Sequence, residues 1–186
     1  MRIRASAWYG SRSVDPEGTE GWVQDEPVVW LPQDEIGNSP STPLAIDKGP
    51  YTGQMIHCEV THGGIKRVAV EKVDGIYQGA VFRFSQGIEA GVNRLAWAPD
   101  GSLIAGGIGV SGNWGQTGKL NYGLQRLVYN GNSAFEMLKV SARSNGFEIE
   151  FTEPIKMGQN ISAEDFLIEQ FYFKPTAEYG GPKLDV

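Results

Sequence analysis

His57, Cys58, Glu59 and His62 are the residues whose types and spacing come closest to chemistry in this chain. Imidazole, thiolate and carboxylate are the usual ligands of zinc, and a histidine oriented by an acid can serve as a general base. The spacing works against a metal. Residues 55–60 (Met-Ile-His-Cys-Glu-Val) read as a strand, in which successive side chains point to opposite faces, so His57 and Cys58 diverge. His57 and Glu59 can share a face, with His62 beyond a turn. The reading adopted is a strand histidine followed by a turn histidine. His62 becomes a base only if Glu59 orients it. Cys58 reads as a buried, inert thiol, because a reactive one needs exposure and a neighbouring base. No catalytic and no metal-binding residue is assigned.

Other motifs are incomplete. Gly107-Ile108-Gly109-Val110-Ser111-Gly112 spells G-x-G-x-x-G after a strand, but a dinucleotide site needs a helix opening at the last glycine, and Asn113-Trp114-Gly115-Gln116-Thr117-Gly118 will not form one. Gly118-Lys119 ends a near-miss to a phosphate loop. Its spacing from Gly112 is one residue too long, and Leu120 stands where a magnesium-binding Ser or Thr is required. The acids Asp15, Glu17, Glu20, Asp25, Glu26, Asp34 and Glu35 lack the alternation of a calcium loop and read as a solvated face. Trp114 stands apart from Trp8, Trp22, Trp30 and Trp97, because it lies in a Gly-rich loop over 106–121. An indole face stacks on a pyranose ring, and Asn113 and Gln116 can hydrogen-bond its hydroxyls. The expected ligand site is therefore Asn113, Trp114 and Gln116, with Arg126 as a neighbour.

The elements that must position these residues are strands. Of 186 residues, 25 are Gly and 10 are Pro, with 40% hydrophobic and 20% charged, the balance of a globular protein made of short strands and many turns. Strands are predicted over 54–60, 65–73, 79–85, 94–97, 103–105, 124–129, 135–142, 147–151 and 166–173. Two short strands, or one broken by Pro27, are predicted within 21–31. Asp74-Gly75, Pro99-Asp100-Gly101 and Asn130-Gly131 mark tight turns, and Ser162 to Asp165 a capped helical turn. Cys58 is the single cysteine, so no internal disulfide forms. A net charge of −6 with scattered Lys and Arg argues against a nucleic-acid surface and against an anionic-membrane anchor. No apolar run approaches the roughly 18 residues of a membrane helix. Residues 1–8 lack the apolar core of a signal peptide. The chain as it stands is expected in the cytoplasm, and otherwise as a piece of a longer exported protein.

Lys66-Arg67-Val68, Asn93-Arg94-Leu95 and Gln125-Arg126-Leu127 recur with arginines 27 and 32 residues apart, either as repeated blade-like units or as coincident matches. The motif string is more specific. It comprises Gly53-Gln54, Gly79-Ala80-Val81, residues 93–103 (Asn-Arg-Leu-Ala-Trp-Ala-Pro-Asp-Gly-Ser-Leu), Gly106-Gly107, Asn113-Trp114-Gly115, residues 122–127 (Tyr-Gly-Leu-Gln-Arg-Leu) and residues 145–154 (Asn-Gly-Phe-Glu-Ile-Glu-Phe-Thr-Glu-Pro). From about residue 27 onward this string resembles the C-terminal part of bacterial β-propellers of the glucose/sorbosone dehydrogenase-like group. The resemblance implies an all-β, antiparallel chain of partial propeller-like blades over residues 1–130. A trailing β segment over 131–186 follows, either separate or part of the same compact unit. A β-sandwich or open barrel is the alternative. It further implies a non-catalytic binding or structural module, with a sugar or other small molecule as ligand. The rival reading is a fragment of a quinone-dependent sugar oxidoreductase active only at full length. Pyrroloquinoline quinone and calcium belong to full-length relatives, and no cofactor is expected in this chain. Relatives of that kind are periplasmic or extracellular. The catalytic histidine of the family does not align with His57 or His62, so no role is carried over. A closed propeller needs at least about four blades of four strands, so this chain is expected to be completed by missing blades or by a second copy.

Overall fold

The computed structural model describes residues 7–10, 15–33, 35–109, 117–156, 158, 160–174, 176–178 and 181–186. The protein divides into two units, Val28–Pro154 and Met1–Pro27 with Ile155–Val186. The fold is all-β and antiparallel, and no sheet closes into a barrel among the described residues. The helical element there is a single 3-10 turn, Ala163–Asp165, in which Asp165 accepts the Ser162 N–H at 2.8 Å. No helix of the described residues is long and apolar enough to cross a membrane.

The larger unit begins with a four-stranded meander: β1 (Pro40–Ala45), β2 (Met55–Glu59), β3 (Ile65–Val73) and β4 (Ile76–Ser85), in that order. The β3–β4 hairpin turns through Asp74 and Gly75 at φ 48° and 86°, the paired left-handed conformation that matches strand twist and that Asp-Gly favours. A second, three-stranded meander follows: β5 (Gly91–Trp97), β6 (Leu103–Ile108) and β7 (Tyr122–Leu127). The hairpin β8 (Met137–Arg143) and β9 (Gly146–Phe151) packs on β3 and β4 within the same unit. In the smaller unit, β10 (Phe171–Tyr172) pairs with β11 (Leu184–Asp185), and Lys183 sits 4.1 Å from the Phe171 ring centroid. Also there, Trp8 and Trp22 meet edge to face at 5.8 Å, and Trp8 and Asp25 exchange bonds of 2.8 Å.

The core lies where β5 packs on β1 and β2. Period-two alternation turns Ile56, Cys58 and Ile65 inward from the first sheet and Leu103 and Ala105 from the second, and the register shift between Val92 and Arg94 brings Val92 and Leu95 to that same side. Cys58 is fully buried, and that burial pushes its thiol up. Gly91 is required at the junction. A Cβ on it would lie 2.1 Å from the Val60 carbonyl oxygen and 3.0 Å from that of Ile108, both main chain. Gly91→Ala is expected to cost about 2–3 kcal/mol as an overpacked core contact. Thermal and urea unfolding measure it, and a cost below about 0.5 kcal/mol would show that the backbones part freely.

Four sequence expectations are corrected. Residues 21–31 form no strand, because Gly21 turns at φ 79° and Pro27 has no N–H to give a ladder. β6 runs on through Gly106 and Gly107, which the sequence places in a loop. β5 and β7 flank it on both sides and supply the ladder that its side chains lack. The strand expected over 166–173 shrinks to Phe171–Tyr172, limited by a two-residue partner. Residues 40–45, for which no strand is predicted, form β1 despite Pro40 and Pro43, as an edge strand can.

Candidate functional site

Of the residues singled out, His57 and Glu59 come together on the face of the first sheet opposite the core, while Cys58 lies on the core side. Ile56 and Cys58 point inward, so His57 and Glu59 point away. Strand register sets Lys66 directly across from His57, and Arg83 of β4 across from Lys66. A polar strand face is normally wet, but this one is covered: His57 is 8% exposed, Lys66 1% and Glu59 0%. Part of the cover is main chain close to Gly37 and Ser39. A Cβ on Gly37 would stand 2.9 Å from Glu59 Oε2. Further along the same face, a Cβ on Gly79 would lie 3.0 Å from Val29 Cγ2.

Glu59 is spent on the main chain. Its carboxylate accepts the N–H of Ser39 at 2.9 Å, of Thr61 at 3.0 Å and of His62 at 3.4 Å. The contact with His62 is thus to backbone. Lys66 donates to the Gly63 carbonyl at 3.3 Å. Burial pushes the Lys66 ammonium below its usual range; Glu59 pulls it back and Arg83 pushes it further down. His57 Nδ1 lies 2.9 Å from the Cys58 carbonyl oxygen. A carbonyl only accepts, so Nδ1 carries the proton and Nε2 presents a bare lone pair. That Nε2 is buried with no hydrogen-bond partner among the described residues. Burial lowers the imidazole from its ordinary value, opposed by the Cys58 carbonyl and Glu59 and reinforced by Lys66. The chemistry available is that of a fixed, neutral proton acceptor beside a buried cation. No group of three His, Cys, Asp or Glu that could hold a metal occurs among the described residues.

A second buried centre was not legible as a site. Arg67, fully buried, donates to the carbonyls of Leu138 at 2.8 Å and Met137 at 2.6 Å, and to Gln54 Oε1. Its guanidinium lies 4.6 Å from the Tyr51 ring centroid and 4.4 Å from that of Phe82. The Tyr51 hydroxyl donates to Glu136, and burial with that acceptor raises the phenol to about 12. The signal was the alternation itself: Arg67 stands two residues from core-facing Ile65, so a strand must turn it inward.

Of the expected ligand site, Asn113, Trp114 and Gln116 lie outside the described residues. Arg126 is on β7 opposite Ile104, while Tyr122 begins the strand at the loop end. Arg126 stands four residue steps along the strand from Tyr122, about 13 Å. Arg126 ion-pairs with Asp100 and donates from Nε to Ser102 Oγ at 2.9 Å. Ser102 and Arg126 together hold the Asp100 carboxyl below its ordinary range. Arg126 therefore clasps the turn that follows Pro99. Comparison with models of protein families, with curated proteins and with solved structures finds no match to this chain.

Proposed function

We propose that this chain is a non-catalytic binding or structural module derived from propeller-like blades. The observation that carries the reading is the stacking of two consecutive antiparallel meanders, β1–β4 and β5–β7, with β5 against β1 and β2. A blade is a four-stranded sheet, the strand count of β1–β4, and β5–β7 has one strand fewer. The buried charged groups support it, because Glu59, Lys66 and Arg67 bond to main-chain atoms and so build the sheets. The β5–β7 sheet has one face in the core, while Ile108, Tyr122 and Leu124 share its other face at 43%, 73% and 76% exposure. That face is the seat for a further sheet, which a second copy of the chain supplies. In sedimentation velocity at about 50 µM, a concentration suited to weak interfaces, the wild type is expected to run larger than one chain and Leu124→Glu as a single chain. Identical monomeric profiles would sink the reading. Its carbohydrate part rests on Asn113, Trp114 and Gln116 as residue types. A monosaccharide is expected to raise the melting temperature of the wild type, through preferential binding to the folded state, and not that of Trp114→Ala.

A further inference from the structure

The structure places three ionisable groups under cover on one strand pair, and a proton there has a mechanical consequence. His57 and Lys66 are register partners, so their side chains stand side by side on one face of the sheet. Glu59 is the anion beside them, and its oxygens already hold the N–H groups of Ser39, Thr61 and His62. The other charged or titratable groups facing this cluster are Arg83 across from Lys66 and His62 on the following turn. The covering segment brings the main chain of Gly37 and Ser39, while Glu35 is exposed.

We propose that His57, Lys66 and Glu59 form an acid-released latch, holding residues 37–39 and the 61–64 turn onto the sheet at neutral pH and freeing them when His57 gains a proton. The proton must go to Nε2, because Nδ1 already donates to the Cys58 carbonyl. It creates a buried N–H with no acceptor among the described residues and a second cation beside Lys66. Both faults are relieved in one way: Glu59 turns from the backbone N–H groups to the new imidazolium. Ser39, Thr61 and His62 then lose the acceptor that closes their loops. The open form takes up the proton more readily than the closed one. The latch is therefore at full strength above about pH 6.5, the value of a free imidazole, and weakens as pH falls below it.

The test is amide hydrogen exchange at about pH 7.5 and about pH 5, corrected for intrinsic chemical rates. In the wild type the amides of Ser39, Thr61 and His62 are expected to open about tenfold more at the lower pH, while the β5–β6 ladder stays protected. His57→Gln is expected to remove the pH dependence, and His62→Gln to keep it. The same dependence in His57→Gln, or equal loosening of the β5–β6 ladder, would overturn the latch. A measurement without substitution guards against a variant that fails to fold. Nitrogen-15 spectra of the wild type should show His57 in the Nδ1–H form at neutral pH and titrating below a free imidazole. The Nε2–H form, or a titration at or above the free value, also overturns it.

Discussion

Arg67→Met is expected to lower the unfolding free energy by about 4 kcal/mol, moving the urea midpoint down by roughly 2 M at a slope of about 2 kcal/mol/M. Replacing a buried charge by an apolar residue of similar volume is often harmless, because a desolvation cost disappears with the charge. Arg67 differs in what its guanidinium holds. Its partners are main-chain carbonyls of β8 and the Gln54 amide, none of which leaves with the substitution. The Leu138 carbonyl keeps the Gln54 amide as a donor at 3.0 Å, whereas the bond to the Met137 carbonyl goes with the guanidinium. The rings of Tyr51 and Phe82 lose their cation at the same time. Arg67→Lys, which keeps the charge without the planar fork, is expected to recover less than half of the loss. A loss below about 1 kcal/mol for Arg67→Met would mean that packing alone fastens β8–β9 to the sheet.

Glu59→Ala is expected to cost about 3–5 kcal/mol, because the N–H groups of three residues lose their acceptor under cover and Lys66 is left a buried cation without its counter-charge. Glu59→Gln keeps the shape and one acceptor oxygen and is expected to cost about half as much. Chemical denaturation at neutral pH separates the two. Equal costs for both would assign the effect to the charge beside Lys66 rather than to the turn bonds. A cost under about 1 kcal/mol for the alanine variant would remove Glu59 as the organiser of residues 37–39.

Strand identity was legible wherever alternation met a turn with a physical requirement. Residues 65–73 emerge as β3 with the expected ends, because a run rich in β-branched residues (Ile65, Val68, Val70, Val73) meets Asp74-Gly75, a pair suited to a tight hairpin. The failures share a cause. β1, the glycine end of β6 and the pair β10–β11 are strands by virtue of partners, and no local pattern reports a partner. The same holds for the site. The alternation of residues 55–60 separates His57 from Cys58 correctly. Yet the face of His57 and Glu59 is covered by residues some twenty positions upstream, which hydrophobic patterning cannot foretell. Arg126 illustrates the converse. Its type invited a ligand, and what no local pattern reports is that the Asp100-Gly101-Ser102 turn returns beside it to pair with its guanidinium.

The outer margin of β1 bears on how this protein could go wrong. Pro40 and Pro43 offer no N–H, Thr42 is held at φ 38°, the register slips between Ser41 and Leu44, and both hydroxyls are engaged by the Asn93 carbonyl. A foreign chain arriving there finds an interrupted row of donors that cannot be straightened without breaking those bonds, so cross-β accretion has no purchase on this flank. Fibril nucleation in a crowded or partly denatured sample is therefore expected at edge strands without such an obstruction, such as β4 (Ile76–Ser85) and β7 (Tyr122–Leu127).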